Sequence, residues 1–584
     1  MCHVLHDAHL AKHLSRSEAE PPLRKICYCI PLTEVEFSDC TECAPGIFQM
    51  KISERRSEMK GVIMYHNNMG NNRFSHADSV LEILEYQAGI HPDRIAVDDG
   101  ESQLSWRGLC ARAQQIGFAL TGYTDCGMPV PFFLEKNVTT LSLMFGIVYA
   151  GCFYVPIHPS QPESRLQKFF QTLQADVIVT ESGYEEKIRN SGFTGRIVTL
   201  DDLLKAETDT TALERIRSQR SDRDSLYGIF TSGSTGNPKC ITVSHRSVID
   251  FIGHFVDEFS FNETDIFGNQ APFDFDVSVK DIYSMLFTGG KLVLIRKELF
   301  STPPYLMDYL YEKNVTTLIW AVSALCMLSA LKALKYRHLP ALKNVLFSGE
   351  VMPPKQLKRW QEAYPSAQFI NLYGPTEITC NCTFYRIERT FAATEKIPVG
   401  KAFPGRNVWL RREDGSTVTA PNEKGEICVS GESISNGYYH NPSETEKHFF
   451  TVGTDDGIQR AYATGDLGYY DAEGYLYFSG RRDFQIKHMG HRIELEEIER
   501  EMQAVEGVAK ASCIFRQDKN KILAFYMGNA TEEMIRKGLH KTLPAYMLPN
   551  RISRIDRMPL TKNGKIDRTA LMDIEINHAN TRIG

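Results

Sequence analysis

From Thr231 to Lys239 the chain reads Thr-Ser-Gly-Ser-Thr-Gly-Asn-Pro-Lys, a run of hydroxyls and glycines that ends on a lysine. Such a loop suits polyphosphate. Glycines let backbone N–H groups approach phosphate oxygens, hydroxyls donate hydrogen bonds, and the lysine adds a point charge. A hydrophobic stretch at 226–230 precedes it, so a strand should deliver the loop to its ligand. The spacing is not that of the nucleoside-triphosphatase P-loop, in which Gly-Lys-Ser/Thr follows its first glycine at a fixed, longer interval. Candidate phosphate ligands are Thr231, Ser232, Gly233, Ser234, Thr235, Gly236 and Lys239.

This loop resembles the phosphate loop of the adenylate-forming enzymes: acyl- and aryl-CoA ligases, luciferases and the adenylation domains of nonribosomal peptide synthetases. Other segments follow in that family's order. Ala-Gly-Cys-Phe-Tyr-Val-Pro-Ile at 150–157 is similar to its early core strand, and Asn-Leu-Tyr-Gly-Pro-Thr-Glu at 371–377 to its adenine and magnesium segment. Tyr-Ala-Thr-Gly-Asp at 462–466 resembles the ribose-binding turn. Gly-Arg-Arg-Asp-Phe-Gln-Ile-Lys at 480–487, running on to Gly-His-Arg-Ile-Glu at 490–494, resembles the interdomain hinge. Asn-Gly-Lys-Ile-Asp-Arg at 563–568 resembles the catalytic-lysine loop. The likeness covers residues 74–571.

The resemblance implies an ATP-dependent ligase that joins a carboxylate to AMP, releases pyrophosphate, and passes the acyl group to a thiol. Positive charge must then stand where phosphate charge develops, the role implied for Lys565. Glu377 is the implied magnesium ligand, since that cation prefers oxygen, and Thr376 should bond the α-phosphate. Tyr373 and Gly374 belong to the adenine segment, with Tyr373 stacked on the base, Asn371 at its amino edge, and Gly349 with Glu350 on the opposite side. Asp466 should take both ribose hydroxyls, for which a carboxylate has the acceptors; Arg481 is a ribose or phosphate candidate. Asp483 is the implied hinge, with Lys487 and Gly490 on the face of the small lobe that serves thioester formation.

The segment Pro-Phe-Asp-Phe-Asp-Val-Ser-Val-Lys at 272–280 bears on which acid is activated. In amino-acid-activating members an aspartate at the position of Asp276 pairs with the substrate α-ammonium. A buried carboxylate facing a plain acyl chain would be costly. The reading is therefore an α-amino acid, with Asp274 a rival for the same role. The implied pocket wall is Asp276, Val277, Lys280, Ser323, Leu346, Ser348, Leu372, Cys380 and Asn381, although the stretch before Ser323 lacks the usual proline. Two readings stand for Lys280. Facing the pocket, it would favour a side-chain carboxylate or strong acceptor; alternatively it snorkels outward along its stem.

Within the family the chain is similar to D-alanine–carrier protein ligases, free-standing enzymes that load D-alanine for teichoic acids, at 347–351, 445–447, 484–487 and 494–499. It departs from them at Lys280 (usually apolar), at Ser348, at Cys240 (usually glycine) and at His158 (usually aspartate). Beyond residue 571 there is no room for a carrier domain, so the expected acceptor is the phosphopantetheine thiol of a separate carrier protein, in nonribosomal peptide or related biosynthesis. D-alanylation and acyl-CoA ligation are the alternatives.

Composition agrees with a soluble enzyme. Of 584 residues, 42% are hydrophobic and 24% charged, too long for one compact core. A formal net charge of −6 argues against nucleic acid as a partner. No apolar run of about 18 residues marks a transmembrane helix, and the histidine-rich N-terminus lacks the apolar core of a secretory signal; a cytoplasmic enzyme is expected. Residues 1–73 hold Cys2, Cys27, Cys29, Cys40 and Cys43 and read as a disordered extension, an untranslated leader ahead of an internal methionine such as Met64, or a zinc-binding element.

The predicted fold is α/β. Residues 74–482 should form a large ATP- and amino-acid-binding lobe of helix-covered, mostly parallel sheets. Strands are expected at 177–180, 197–200, 316–320, 342–347 and 368–372, and helices at 80–88, 303–312, 323–334 and 354–363. A small antiparallel barrel-like unit is expected at 426–478. Residues 483–584 should form a small mobile α+β lobe, with helices at 494–502 and 531–542 and a hairpin of 508–515 with 521–527.

Overall fold

The hydrophobic stretch ahead of the phosphate loop becomes the strand Ser225–Thr231, which pairs with Lys239–Ser244 in an antiparallel hairpin, Thr231 opposite Lys239. The computed structural model describes residues 73–233, 237–454, 457–561 and 566–580. Lys565, Ser234, Thr235, Gly236 and the cysteines of residues 1–72 lie outside them.

Among the described residues the hairpin belongs to a seven-stranded sheet, and a nine-stranded sheet lies across the core from it. In the first, Pro129–Phe133, Phe153–Ile157, Val177–Thr180 and Arg196–Thr199 run parallel. In the second, Ile266–Asn269, Thr317–Ala321, Asn344–Ser348 and Gln368–Tyr373 are parallel neighbours. Strand alternation sorts side chains between layers. Phe132 and Tyr154 join the cluster between the sheets, while Phe133, Phe153 and Val155 face the outer helix Glu163–Leu173. Leu346 packs into the inner cluster, whereas Val345 and Phe347 face the outer helices Pro303–Glu312, Val322–Ala330 and Pro354–Ala363. Two of those helices begin on a proline, which the first turn tolerates because its N–H would be unpaired there.

Two expectations are corrected. The helix expected over 323–334 ends at Ala330; Lys332 turns to φ +60 and Ala333–Lys335 forms a 3-10 turn that buries Ala333. The residues there are all helix formers, so tertiary packing sets the stop. The antiparallel unit begins earlier than 426, because Arg406–Arg411 pairs residue for residue with 426–431. With Phe449–Thr454, Gly457–Tyr470 and Leu476–Arg481 it makes a five-stranded sheet.

Past Asp483 the hairpin Gln485–His488 with His491–Glu494 leads to a three-stranded sheet of Val508–Arg516, Lys521–Gly528 and Arg551–Arg554. One face packs on the helices Leu495–Gln503 and Glu532–Thr542 through Ile498, Cys513, Ile522 and Leu539. The other carries Ile514, Leu523, Phe525, Met558, Ile566 and Leu571.

Candidate functional site

Asp276 immediately precedes the helix Val277–Thr288, every residue of which is buried. Asp276 and Lys280 are four residues apart and so share one side of that segment. The Asp276 carboxylate accepts from Thr376 Oγ1 at 2.6 Å, and Cys380 Sγ donates to the Asp276 carbonyl at 3.2 Å. Lys280 Nζ donates to Ser348 Oγ at 3.0 Å and Asn381 Oδ1 at 2.9 Å. Only 1% of Lys280 is exposed, so the outward-snorkelling alternative is overturned. Val277, Leu346 and Leu372 are buried. Burial raises the Asp276 carboxyl above its usual range against the Thr376 bond and the Lys280 charge, and burial lowers the Lys280 ammonium. Ser323 stands apart from this group, its hydroxyl on Glu350. The rival Asp274 is directed elsewhere, its carboxyl next to His158.

A tight turn forms the adenine and magnesium segment. A Cβ on Gly374 would stand 2.6 Å from the Asn381 Cα, so no side chain fits there. Thr379 and Cys380 both take positive φ, +57 and +74. Two successive side-chain-bearing residues in that region store strain of the kind that gathers at functional sites. Tyr373 donates to Asp466 Oδ2 at 2.6 Å, and Arg481 pairs with the other Asp466 oxygen. Arg481 also bonds both oxygens of Asp483, at 2.6 and 2.7 Å. Asn371 Nδ2 donates to the Pro398 carbonyl at 2.7 Å. Lys239 forms a nearly buried ion pair with Glu444. Ser232 Oγ donates to the Arg492 carbonyl at 2.8 Å, and at Gly233 an added Cβ would collide with the Asn237 carbonyl.

Glu377 is 1% exposed, and Arg492 Nη1 bonds both its oxygens at 2.8 and 2.9 Å, with Tyr438 OH on one of them at 2.8 Å. Burial alone would raise this carboxyl, but Arg492 and Tyr438 hold it down to about 2. Arg492 reaches in from the small lobe. In its hairpin it stands directly opposite Lys487, whose Nζ lies 5.8 Å from the Tyr373 ring. Beside them the Gly490 N–H donates to Glu350, and Gly349, at φ +94, approaches Gly490.

The two lobes also meet away from the site. Arg165 and Glu497 form a buried ion pair at 2.7 Å, and Ser164 donates to the Lys541 carbonyl at 3.0 Å. His491 stacks on Tyr546, centroids 3.7 Å apart, and its ring also lies 5.6 Å from that of Phe275.

The profile of the family described as AMP-binding enzyme matches residues 84–439. The chain belongs to that family. It is 32% identical over 511 residues to the D-alanine--D-alanyl carrier protein ligase of Bacillus cytotoxicus, covering 84% of this chain and 99% of that protein. It is 29% identical over 511 residues to tyrocidine synthase 1 of Brevibacillus parabrevis, covering 86% of this chain but 46% of the synthase. Solved structures share the fold. Holo-PA1221, a nonribosomal peptide synthetase protein with adenylation and PCP domains, superimposes with a TM-score of 0.74 at 24% identity over 85% of this chain and 84% of its own. The Vibrio cholerae adenylation domain AlmE, solved with glycyl-adenosine-5'-phosphate, gives 0.73 at 21% identity over 88% of this chain and 99% of its own.

In this AMP-binding enzyme the structure thus brings Asp276, Lys280, Ser348, Thr376, Cys380 and Asn381 into one bonded group, and Tyr373, Asp466, Arg481 and Asp483 into another. Sequence reasoning gave no role to Arg492, Tyr438 or Glu444. A usable signal existed for Arg492. Like charges opposed across a hairpin repel, so Lys487 facing Arg492 calls for carboxylates in front of both. Among the described residues, no helix is long and apolar enough to cross a membrane.

Proposed function

We propose that this adenylate-forming ligase activates an α-amino acid with ATP and transfers it to the phosphopantetheine thiol of a separate carrier protein, in nonribosomal peptide or related cytoplasmic biosynthesis. The observation that carries the reading is Asp276. Its carboxylate is buried, hydrogen-bonded by the neutral Thr376, and no cation of the described residues lies within ion-pair distance. Burying such a charge is costly until a cation meets it, and the α-ammonium of an amino acid is that cation.

In the first step a substrate carboxylate oxygen attacks the α-phosphorus of ATP, and pyrophosphate leaves. Thr376, already on Asp276, bridges the ammonium site and the α-phosphate. Asp466 takes the ribose, and Lys565 is assigned the charge that forms on the transferring phosphate. Glu377 is buried and ionised, which fits a hard cation; bound magnesium would neutralise polyphosphate charge. Arg492 occupies both Glu377 oxygens in this pose, so cation entry is coupled to withdrawal of the small lobe, with Asp483 as its hinge.

The pose itself favours the second half-reaction. Lys487 and Gly490 face the site, while Ile566, which flanks the lysine loop, packs on the opposite face of the small sheet from the helices that meet the large lobe. In that step the carrier thiol adds to the acyl carbon and gives its proton to solvent, and the bond between that carbon and the phosphate oxygen breaks as AMP leaves with its electron pair.

Amino-acid-dependent ATP–pyrophosphate exchange, screened over the proteinogenic amino acids and D-alanine with Lys565→Ala as control, tests the reading. One amino acid should support exchange, and the control should abolish it. D-alanine as substrate would favour the alternative suggested by the full-length ligase relatives. Exchange that needs no amino acid, with acyl transfer dependent on coenzyme A, would sink the proposal in favour of an acyl-CoA ligase.

A further inference from the structure

Lys280 lies one helical turn from Asp276, and what surrounds it narrows the substrate. Its ammonium is 1% exposed and meets two neutral oxygens, Ser348 Oγ and Asn381 Oδ1. An ammonium has three donors, and among the described residues no carboxylate comes within ion-pair distance of this one. The nearest acidic neighbour in the chain does not serve. Asp281 accepts from Asn269 Nδ2 at 2.8 Å through one oxygen, while its other oxygen has no hydrogen-bond partner among the described residues. Burial pushes Asp281 up to about 8 against the Asn269 bond and the Lys280 and Lys136 charges. A second polar group in the region is also unmatched: the buried Tyr227 hydroxyl, whose nearest ionisable neighbours include Cys380 and Asp276, has no hydrogen-bond partner among the described residues.

A lone buried ammonium costs several kcal/mol unless an anion answers it. Asp276 acts on it only at a distance, forming no direct ion pair, since it stands one helical turn away on Thr376. The carboxylate and the ammonium therefore stand one turn apart at the start of the helix Val277–Thr288, each hydrogen-bonded to neutral groups rather than directly to the other. Resting on the amino-acid reading above, we propose that Lys280 is the specificity-determining residue of this enzyme and that its substrate is an acidic amino acid, its α-ammonium on Asp276 and its side-chain carboxylate on Lys280 Nζ. Anchoring the side-chain carboxylate there also keeps it from the α-phosphorus, so that only the α-carboxylate is adenylated. Ser348 and Asn381 hold the ammonium in place and act as positioning residues.

The test is pyrophosphate exchange with the full chain on aspartate and glutamate in both chiralities, their amides, alanine, leucine, and acids of similar size that lack the α-amino group. An acidic amino acid should be preferred over its own amide by about 100-fold or more in kcat/KM. Lys280→Met should lose that preference by a similar factor, with the KM for ATP unchanged, while Lys280→Arg should keep the acidic substrate ahead of its amide. Exchange of the wild-type chain with a neutral amino acid only would overturn this inference and leave amino-acid activation standing. Exchange only with acids that lack the α-amino group would overturn both. The wild-type panel decides the question even where a variant fails to fold.

Discussion

Glu377 and Asp276 are buried carboxylates of one site, the first next to Thr376 in sequence and the second hydrogen-bonded by it, yet burial has opposite outcomes for them. Glu377 is held down to about 2 by Arg492, whereas burial pushes Asp276 up in spite of the Thr376 hydroxyl and the nearby Lys280 and Lys487 charges. The same contrast runs through both halves of the site. On the nucleotide side Glu377 has Arg492, Asp466 has Arg481, and Lys239 has Glu444. On the acid side Asp276 and Lys280 have no ionic partner among the described residues. Charges that are paired inside the protein change partners when a ligand or a lobe moves, and Arg492 comes from the part of the chain beyond Asp483. Charges left without a direct ion pair in a fully buried segment suit a ligand that brings the counter-charges.

Substitutions can break this comparison or sharpen it. The largest effect is expected from Asp276→Asn, which keeps the shape and removes the charge. Amino-acid-dependent exchange should fall about 1,000-fold, while nucleotide affinity, read by competition with a fluorescent ATP analogue, should not move. Loss of both would erase the distinction between the two sides. Arg492→Gln comes next, because it leaves Glu377 buried and uncompensated; thermal unfolding at neutral pH should register a loss of about 3 kcal/mol. The sign with pH follows from linkage. The folded carboxyl of Glu377 lies below its ordinary 4.5, so its stabilisation is complete above that pH and is lost as pH falls toward about 2. The variant should lose much of that dependence, and an unchanged acid profile would show that Arg492 is not what holds Glu377 ionised.

The smallest effect is expected at the seam between the lobes. Burial, with His488, Arg165 and His158 adding to it, holds the His491 imidazole down to about 4. Its contribution is present above pH 6.5 and is lost as pH falls through about 4, so the docked lobe should loosen by on the order of 1 kcal/mol as the solution is acidified. Protease cleavage near residues 481–484 should speed up accordingly between pH 7 and pH 5. His491→Phe keeps the stack on Tyr546 and should flatten that response; an equally steep response in the variant would place the titration elsewhere.

Much of the fold was legible before any coordinates. The helices Pro303–Glu312 and Pro354–Ala363 fall where expected because proline marks their starts. The hairpin of Val508–Arg516 with Lys521–Gly528 is legible in alternation and turn residues. The helix that stops at Ala330 was not legible, because nothing local in Leu331-Lys332-Ala333-Leu334 ends a helix and only packing does. The start at Arg406 was missed because the pairing partner of that strand decides whether it joins the sheet.

The same division holds at the site. By itself the sequence determined which chemical groups are available and their local spacing: the hydroxyl and glycine loop up to Lys239, Asp276 and Lys280 one helical turn apart, and Thr376 beside Glu377. Those relations hold within a turn or a strand, where backbone geometry leaves little choice. Only the tertiary structure decided that Lys280 points inward, since a lysine stem can reach either way until neighbouring layers close over it. It alone joined Arg492 to Glu377 and Ser348 to Lys280, residues far apart in the chain whose meeting depends on how the sheets stack and where the small lobe docks.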